Sequence, residues 1–193
     1  MDTDVYRTIK RPSEGSYAEK RSRFLAFATP VGTADEAMQH VREYRKKYYD
    51  ARHVCWAYMT GADRSTFRVN DDGEPSSTAG KPILGQINSN ELTDILIIVV
   101  RYYGGVELGT SRLTAAYRTA AALSIAAACI EERTVDITFS LTFDYARLDS
   151  IMKIIKEEQV AVISQSLNMS CEMTLRVRKN LYEQLKSRLN KVC

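Results

Sequence analysis

Apolar and polar positions alternate most regularly in the last third of the chain. Val135, Ile137, Phe139, Leu141 and Phe143 are separated by Asp136, Thr138, Ser140 and Thr142, the period-two signature of a half-buried strand. Met169, Cys171, Met173, Leu175 and Val177 repeat it around Glu172, Thr174 and Arg176. Between them, Leu148, Ile151 and Ile155 have helical spacing and residues 160–163 form a short apolar run. Leu181, Leu185 and Leu189 recur every four residues and predict a last helix, with Asn180 as its cap. The order β-α-β-β-α is one strand short of a ferredoxin-like domain. Either the sheet has three strands or a further segment completes it.

The first two thirds read differently. Residues 1–20 are polar and predict a loose lead-in, followed by a short strand around Phe24–Ala28. Thr33 and Glu36 have capping-box spacing, and Met38, Val41, Tyr44 and Tyr48 continue as one face of a helix over 34–49. Residues 54–59 and 66–69 predict paired strands across a turn at Gly61. Residues 78–88 suit a short helix that tolerates Pro82 only in its first turn. Ile95–Val100 is six apolar residues without alternation, which predicts a central strand covered on both faces. A glycine-rich loop, 104–109, leads into an alanine-rich helix that Thr110 or Ser111 caps. The character changes near residue 133. The expected organisation is therefore α+β, with one domain over 1–133 and a small ferredoxin-like (βαββα) domain over 134–193.

Composition adds bounds. Apolar residues make up 45% and charged residues 26% of the 193, ordinary globular usage. The net charge of +3 is too small to signal a nucleic-acid binder by itself. Two basic clusters matter more. One comprises Arg7, Lys10, Arg11, Lys20, Arg21 and Arg23; the other comprises Arg42, Arg45, Lys46, Lys47 and Arg52. Each is either solvated surface or a phosphate-facing patch. Cys55, Cys129, Cys171 and Cys193 form no CxxC pair, and the histidines are His40 and His53 alone. No zinc site, no other metal or cofactor and no disulfide framework is expected. The polar start Met1-Asp2-Thr3-Asp4 lacks the form of a signal peptide, and no apolar run reaches membrane-spanning length. A cytoplasmic location follows as the expectation, with no membrane partner.

Three stretches carry candidate chemistry. Asp71, Asp72 and Glu74 lie in one turn with Ser76, Ser77, Thr78 and Lys81. Carboxylates that close either share a cation or position a water, or they bind their own backbone. Arg101, Tyr102, Gly104 and Gly105 run through to Gly109, Thr110 and Ser111. A buried strand, a glycine loop and a helix start in that order suit an anion. Arg101 suits a phosphate or carboxylate, or it pairs with Asp71 or Asp72. Arg52 and His53 immediately precede the strand that holds Cys55 and Trp56. His53 is a candidate base or a packed residue. Tyr102, Tyr103 and Tyr117 are candidates for stacking on bases or for walling the core.

Taken together, Arg21-Ser22-Arg23-Phe24, Asp50 to His53, Cys55 to Tyr58, residues 71–84, and Val99 to Gly105 through Leu108-Gly109 resemble the IMPACT/YigZ family, with Tyr117 fitting the next helix. The resemblance covers residues 17–130. It implies a first domain similar to the second domain of a ribosomal small-subunit protein and a ferredoxin-like second domain. That pair is similar to the last two domains of elongation factor G. It also implies translational control, exerted in eukaryotic members through a protein partner of an initiation-factor kinase, and no established enzymatic activity. Ser77, Ser111, Arg112 and Ala115 depart from the family pattern, which has glycine at the first three positions and arginine near the fourth.

The functional expectation is a non-catalytic binding protein linked to translation through RNA, the ribosome or a translation-related protein. The alternative is a Mg-dependent phosphoryl-transfer or hydrolytic enzyme using the acidic turn and the glycine loop. The expected ligand-binding residues are Arg52, His53, Asp71, Asp72, Glu74, Thr78, Lys81, Arg101, Tyr102, Gly104, Gly105, Gly109, Thr110 and Ser111.

Overall fold

In the computed structural model, which describes residues 4–192, five antiparallel strands form the main sheet in the order β2-β3-β6-β4-β5. They are β2 (Ser13–Glu19), β3 (Ser22–Pro30), β4 (His53–Thr60), β5 (Thr66–Asn70) and β6 (Ile95–Tyr102). A separate two-stranded sheet joins β1 (Val5–Ile9) to β7 (Ile130–Thr134). The apolar run of β6 fits its central place. Ile95, Ile97 and Val99 face one core, and Leu96, Ile98 and Val100 face the other.

The first of these cores is covered by α2 (Gly80–Ser89) and α3 (Thr110–Ala126). Ala116, Ala120 and Ala121 are buried in α3, and their small side chains let the helix approach the sheet. The approach is close enough that a Cβ on Gly15 of β2 would stand 2.5 Å from the Ser124 nitrogen. The opposite core is covered by α1 (Ala34–Lys47), which buries Ala37 and Val41. Thr33 caps α1 by accepting from the Glu36 N–H at 3.2 Å. Glu36 reaches back to the Gly32 N–H at 2.7 Å, one residue before the usual partner in a capping box.

The loose lead-in expected for residues 1–20 is corrected from residue 5 onward. β1 and β2 are both regular strands. β2 alternates half-buried and exposed positions, with Tyr17 its one large residue packed against the core, and it is held by the backbone ladder to β3. Residues 1–3 and Cys193 lie outside the described residues, so the expectations for Met1-Asp2-Thr3 and for Cys193 find no counterpart here.

The chain divides into two compact units. One is Tyr6–Arg133; the other is Thr134 onward together with the residues up to Val5. The second unit has three antiparallel strands in the order β8-β10-β9. They are β8 (Asp136–Asp144), β9 (Ala161–Leu167) and β10 (Ser170–Arg178), with α4 (Leu148–Glu157) and α5 (Tyr182–Asn190). The fold is α+β with the βαββα order. Ile151, Ile154 and Ile155 of α4 pack with Cys171, Met173 and Leu175 of β10 and Leu185 and Leu189 of α5. Asp4 belongs to this unit: its carboxylate takes two hydrogen bonds from Arg178, at 2.8 and 3.0 Å, and one from the Asn180 N–H at 3.2 Å. Asn180 is therefore not the side-chain cap of α5, which has none and follows a single 3₁₀ turn.

Candidate functional site

The register of the main sheet brings three strand ends together. Arg101 of β6 stands opposite Phe24 of β3 on one side and His53 of β4 on the other. The Arg101 guanidinium is buried and its Nη1 donates to Glu74 Oε1 at 2.6 Å. The same oxygen accepts from the Tyr117 hydroxyl of α3 at 2.8 Å. Cys55 Sγ lies 3.3 Å from the Tyr117 oxygen and donates to the Asp71 carbonyl at 3.0 Å. Burial pushes both the Cys55 thiol and the Tyr117 phenol far above their usual ranges, so both are protonated.

His53 closes this network on its outer side. Its Nδ1 is 2.8 Å from the Asp72 carbonyl, and a carbonyl only accepts, so the proton sits on Nδ1. Its Nε2 faces Glu74 Oε1 at 3.8 Å. Burial lowers the His53 pKa below 6.5; Glu74 opposes this, while Arg101, Arg52 and Arg45 add to it.

Above the network lies a cleft of about 470 Å³, lined by Arg52, His53, Glu74, Arg101, Tyr103 and Glu107 among others, and closed by Gly109, Thr110 and Leu113 at the start of α3. The glycine loop shapes that end. Gly105 and Gly109 have φ of +81° and +73°, and a Cβ on either would meet nothing within 4 Å. Positive φ favours glycine at both places, and the space above them is open.

Of the residues named from the sequence, the cleft collects Arg52, His53, Glu74, Arg101, Gly109 and Thr110. It does not collect Asp71, Asp72, Thr78, Lys81, Tyr102, Gly104, Gly105 or Ser111. Asp71 is a backbone acceptor: its carboxylate takes the N–H groups of Ser77, Ala79 and Gly80 at 2.8, 3.0 and 2.8 Å. Asp72 accepts from the Val54 N–H at 2.6 Å and pairs with Arg45. The three carboxylates thus have three separate sets of partners, rather than a shared cation, and Arg101 pairs with Glu74 rather than with either aspartate. Thr78 donates to the Pro75 carbonyl at 2.6 Å, and Lys81 is exposed on α2.

Tyr102 lies on the opposite face, where its hydroxyl donates to Asp50 at 3.0 Å. Gly104 is packed rather than open: a Cβ there would stand 2.2 Å from the Arg21 carbonyl carbon. Neither Thr110 nor Ser111 caps α3, whose N-cap is Gly109 with no side-chain hydrogen bond. Arg112 is exposed and does not line the cleft. Pro75, Tyr103, Glu107, Leu108 and Leu113 join the lining without having been named as ligand residues. Tyr103 was already a stacking candidate. Glu107 sits within the glycine loop, and that position was its only signal.

Two α+β units, the first holding a buried Arg–Glu–Tyr network beneath a cleft of small-ligand size, define the class of protein. The chain belongs to the IMPACT family: residues 20–125 match the model of the Impact N-terminal domain. It is 30% identical over 172 residues to an IMPACT family member of Haemophilus influenzae, covering 88% of this chain and 84% of that one. It is 35% identical over 134 residues to the IMPACT family member YigZ of Escherichia coli, covering 68% and 66%. A crystal structure of a hypothetical protein superposes with a TM-score of 0.74 at 26% identity, over 98% of this chain and 93% of that one. No helix among the described residues is long and apolar enough to cross a membrane.

Proposed function

We propose that this chain is a non-catalytic binding module of translation control in the cytoplasm, and that its first unit holds RNA, free or within a ribosome, at one end of the main sheet. The observation that carries this is the register. Arg23 stands opposite Tyr102, and Arg101 stands opposite His53. Lys20 and Arg21 in the β2–β3 turn, Arg23, and Arg52 are all exposed there. Residues far apart in sequence thus gather into one cationic surface, and cations within a Debye length of a phosphate chain act together. The family supplies the link to translation. The buried, protonated Cys55 and Tyr117 and the pairing of Glu74 Oε1 with Arg101 and Tyr117 support binding over catalysis.

The test is a salt titration of the intact chain with single-stranded RNA. Log K is expected to fall with log salt by about 0.7 for each phosphate neutralised. Replacing Lys20, Arg21 and Arg23 with Gln should flatten that slope. RNA binding that ignores salt, or its absence, overturns the proposal. Co-purification with a protein partner that survives nuclease would replace RNA by that partner.

A further inference from the structure

We infer that the cleft holds one nucleoside monophosphate unit, with its phosphomonoester at the start of α3 and its base against Tyr103. This deepens the RNA reading and rests on it for the source of the nucleotide, either a chain terminus or a free mononucleotide. The first hydrogen bond of α3 runs from the Leu113 N–H to the Gly109 carbonyl at 3.0 Å. The N–H groups of Thr110, Ser111 and Arg112 precede it, with no side-chain cap and no acidic residue in the first turn. Such a terminus carries partial positive charge and free donors.

A second, independent feature points to the same ligand. Arg101 is 5% exposed and lines the cleft. Among the described residues only its Nη1 has a hydrogen-bond partner, and its Nε is buried without one. A buried donor left unpaired costs about 1–3 kcal/mol; the Nε is sealed, and the spare donor that an anion in the cleft engages is Nη2, which has no partner among the described residues either. Arg52 adds an exposed cation to the lining.

The remaining residues fit a nucleoside. Tyr103 is 48% exposed and its ring centroid lies 5.6 Å from the Arg101 guanidinium carbon, leaving ring surface for a base. Glu107 is an acceptor for ribose hydroxyls. Its negative charge also disfavours further phosphates, which selects a monophosphate over a di- or triphosphate. A cleft of about 470 Å³ suits one nucleotide rather than a run of them.

The experiment measures affinities of the intact chain for AMP, ADP and ATP. It does the same for one RNA decamer prepared with a 5′-phosphate, a 3′-phosphate or neither. AMP is expected to bind more tightly than ADP or ATP, and a phosphorylated end to gain about tenfold over the unphosphorylated decamer. Tyr103→Ala and Arg52→Gln, both at exposed positions, should remove most of that gain and weaken AMP while leaving the protein folded. If all three decamers bind equally and AMP does not bind, the cleft proposal fails and the RNA reading stands. If AMP binds and no RNA does, the ligand is a free mononucleotide and the RNA reading fails. Displacement of a bound nucleotide analogue by peptide carboxylates but not by AMP overturns the inference in favour of a protein terminus.

Discussion

The Arg101 guanidinium and the Glu74 carboxylate meet at 2.6 Å with only 7% and 3% of their side chains exposed. A pair this deep is costly to break, because the survivor is left charged and buried. Arg101→Ala or Glu74→Ala should each destabilise the first unit by about 3–5 kcal/mol. The double variant should lose clearly less than the sum. Trp56, the only tryptophan and 4% exposed in the first unit, reports the transition by fluorescence in urea. Strict additivity would show that the two charges do not depend on one another.

Ser77 adopts φ +67°, a conformation that costs a non-glycine residue about 1–2 kcal/mol. Its N–H still donates to Asp71, so the turn is held in place against that cost. Ser77→Gly should stabilise the first unit by roughly 0.5–1 kcal/mol, because glycine loses an extra 0.5–1 kcal/mol of chain entropy. A higher urea midpoint is the expected result; an unchanged or lower one would refute the strain.

Gly104 is constrained by its neighbour rather than by its own dihedral angles. An added Cβ would lie 2.2 Å from the Arg21 carbonyl carbon and 2.4 Å from the Ser22 nitrogen, and backbone cannot move aside as a side chain does. Gly104→Ala should cost about 1–3 kcal/mol or more and displace the β2–β3 turn. Amide shifts at Arg21 and Ser22 would register that displacement, and their absence together with unchanged stability would refute the close approach.

His53 should give the first unit a pH dependence of defined sign. Burial lowers its folded pKa beneath the unfolded value of 6.5, reinforced by Arg101, Arg52 and Arg45 and opposed by Glu74. Below pH 6.5 the unfolded chain takes up a proton that the folded site resists. Stability should therefore be full above that pH, fall as pH drops below it, and level off below the folded pKa. His53→Gln should remove this component from urea melts recorded between pH 7.5 and 5.5. A wild-type slope retained in the variant would assign the effect to other groups.

The fold was legible wherever burial leaves a period. The unbroken apolar run of β6 announced a strand covered on both faces, and the alternation of β8 and β10 announced a sheet covered on one. β2 was illegible because small residues such as Ser13 and Gly15 let α3 approach, and smallness has no period. In the site, Arg101, His53 and the glycine loop stood out by type and position. The partner of Arg101 did not, because composition does not tell which of three neighbouring carboxylates turns inward. Asp71 is occupied by backbone N–H groups brought round by the turn and Asp72 by the Val54 N–H of β4, and Tyr117 arrives from 43 residues beyond Glu74.

Cys55 is sealed beneath Tyr117 in one unit, Cys171 is sealed in the core of the other, and Cys129 is exposed. Among the cysteines of the described residues, an alkylating reagent therefore meets Cys129 at once and the other two only when their own unit opens. The two hidden thiols act as separate clocks, through which the breathing of each half is timed without attaching a label to either.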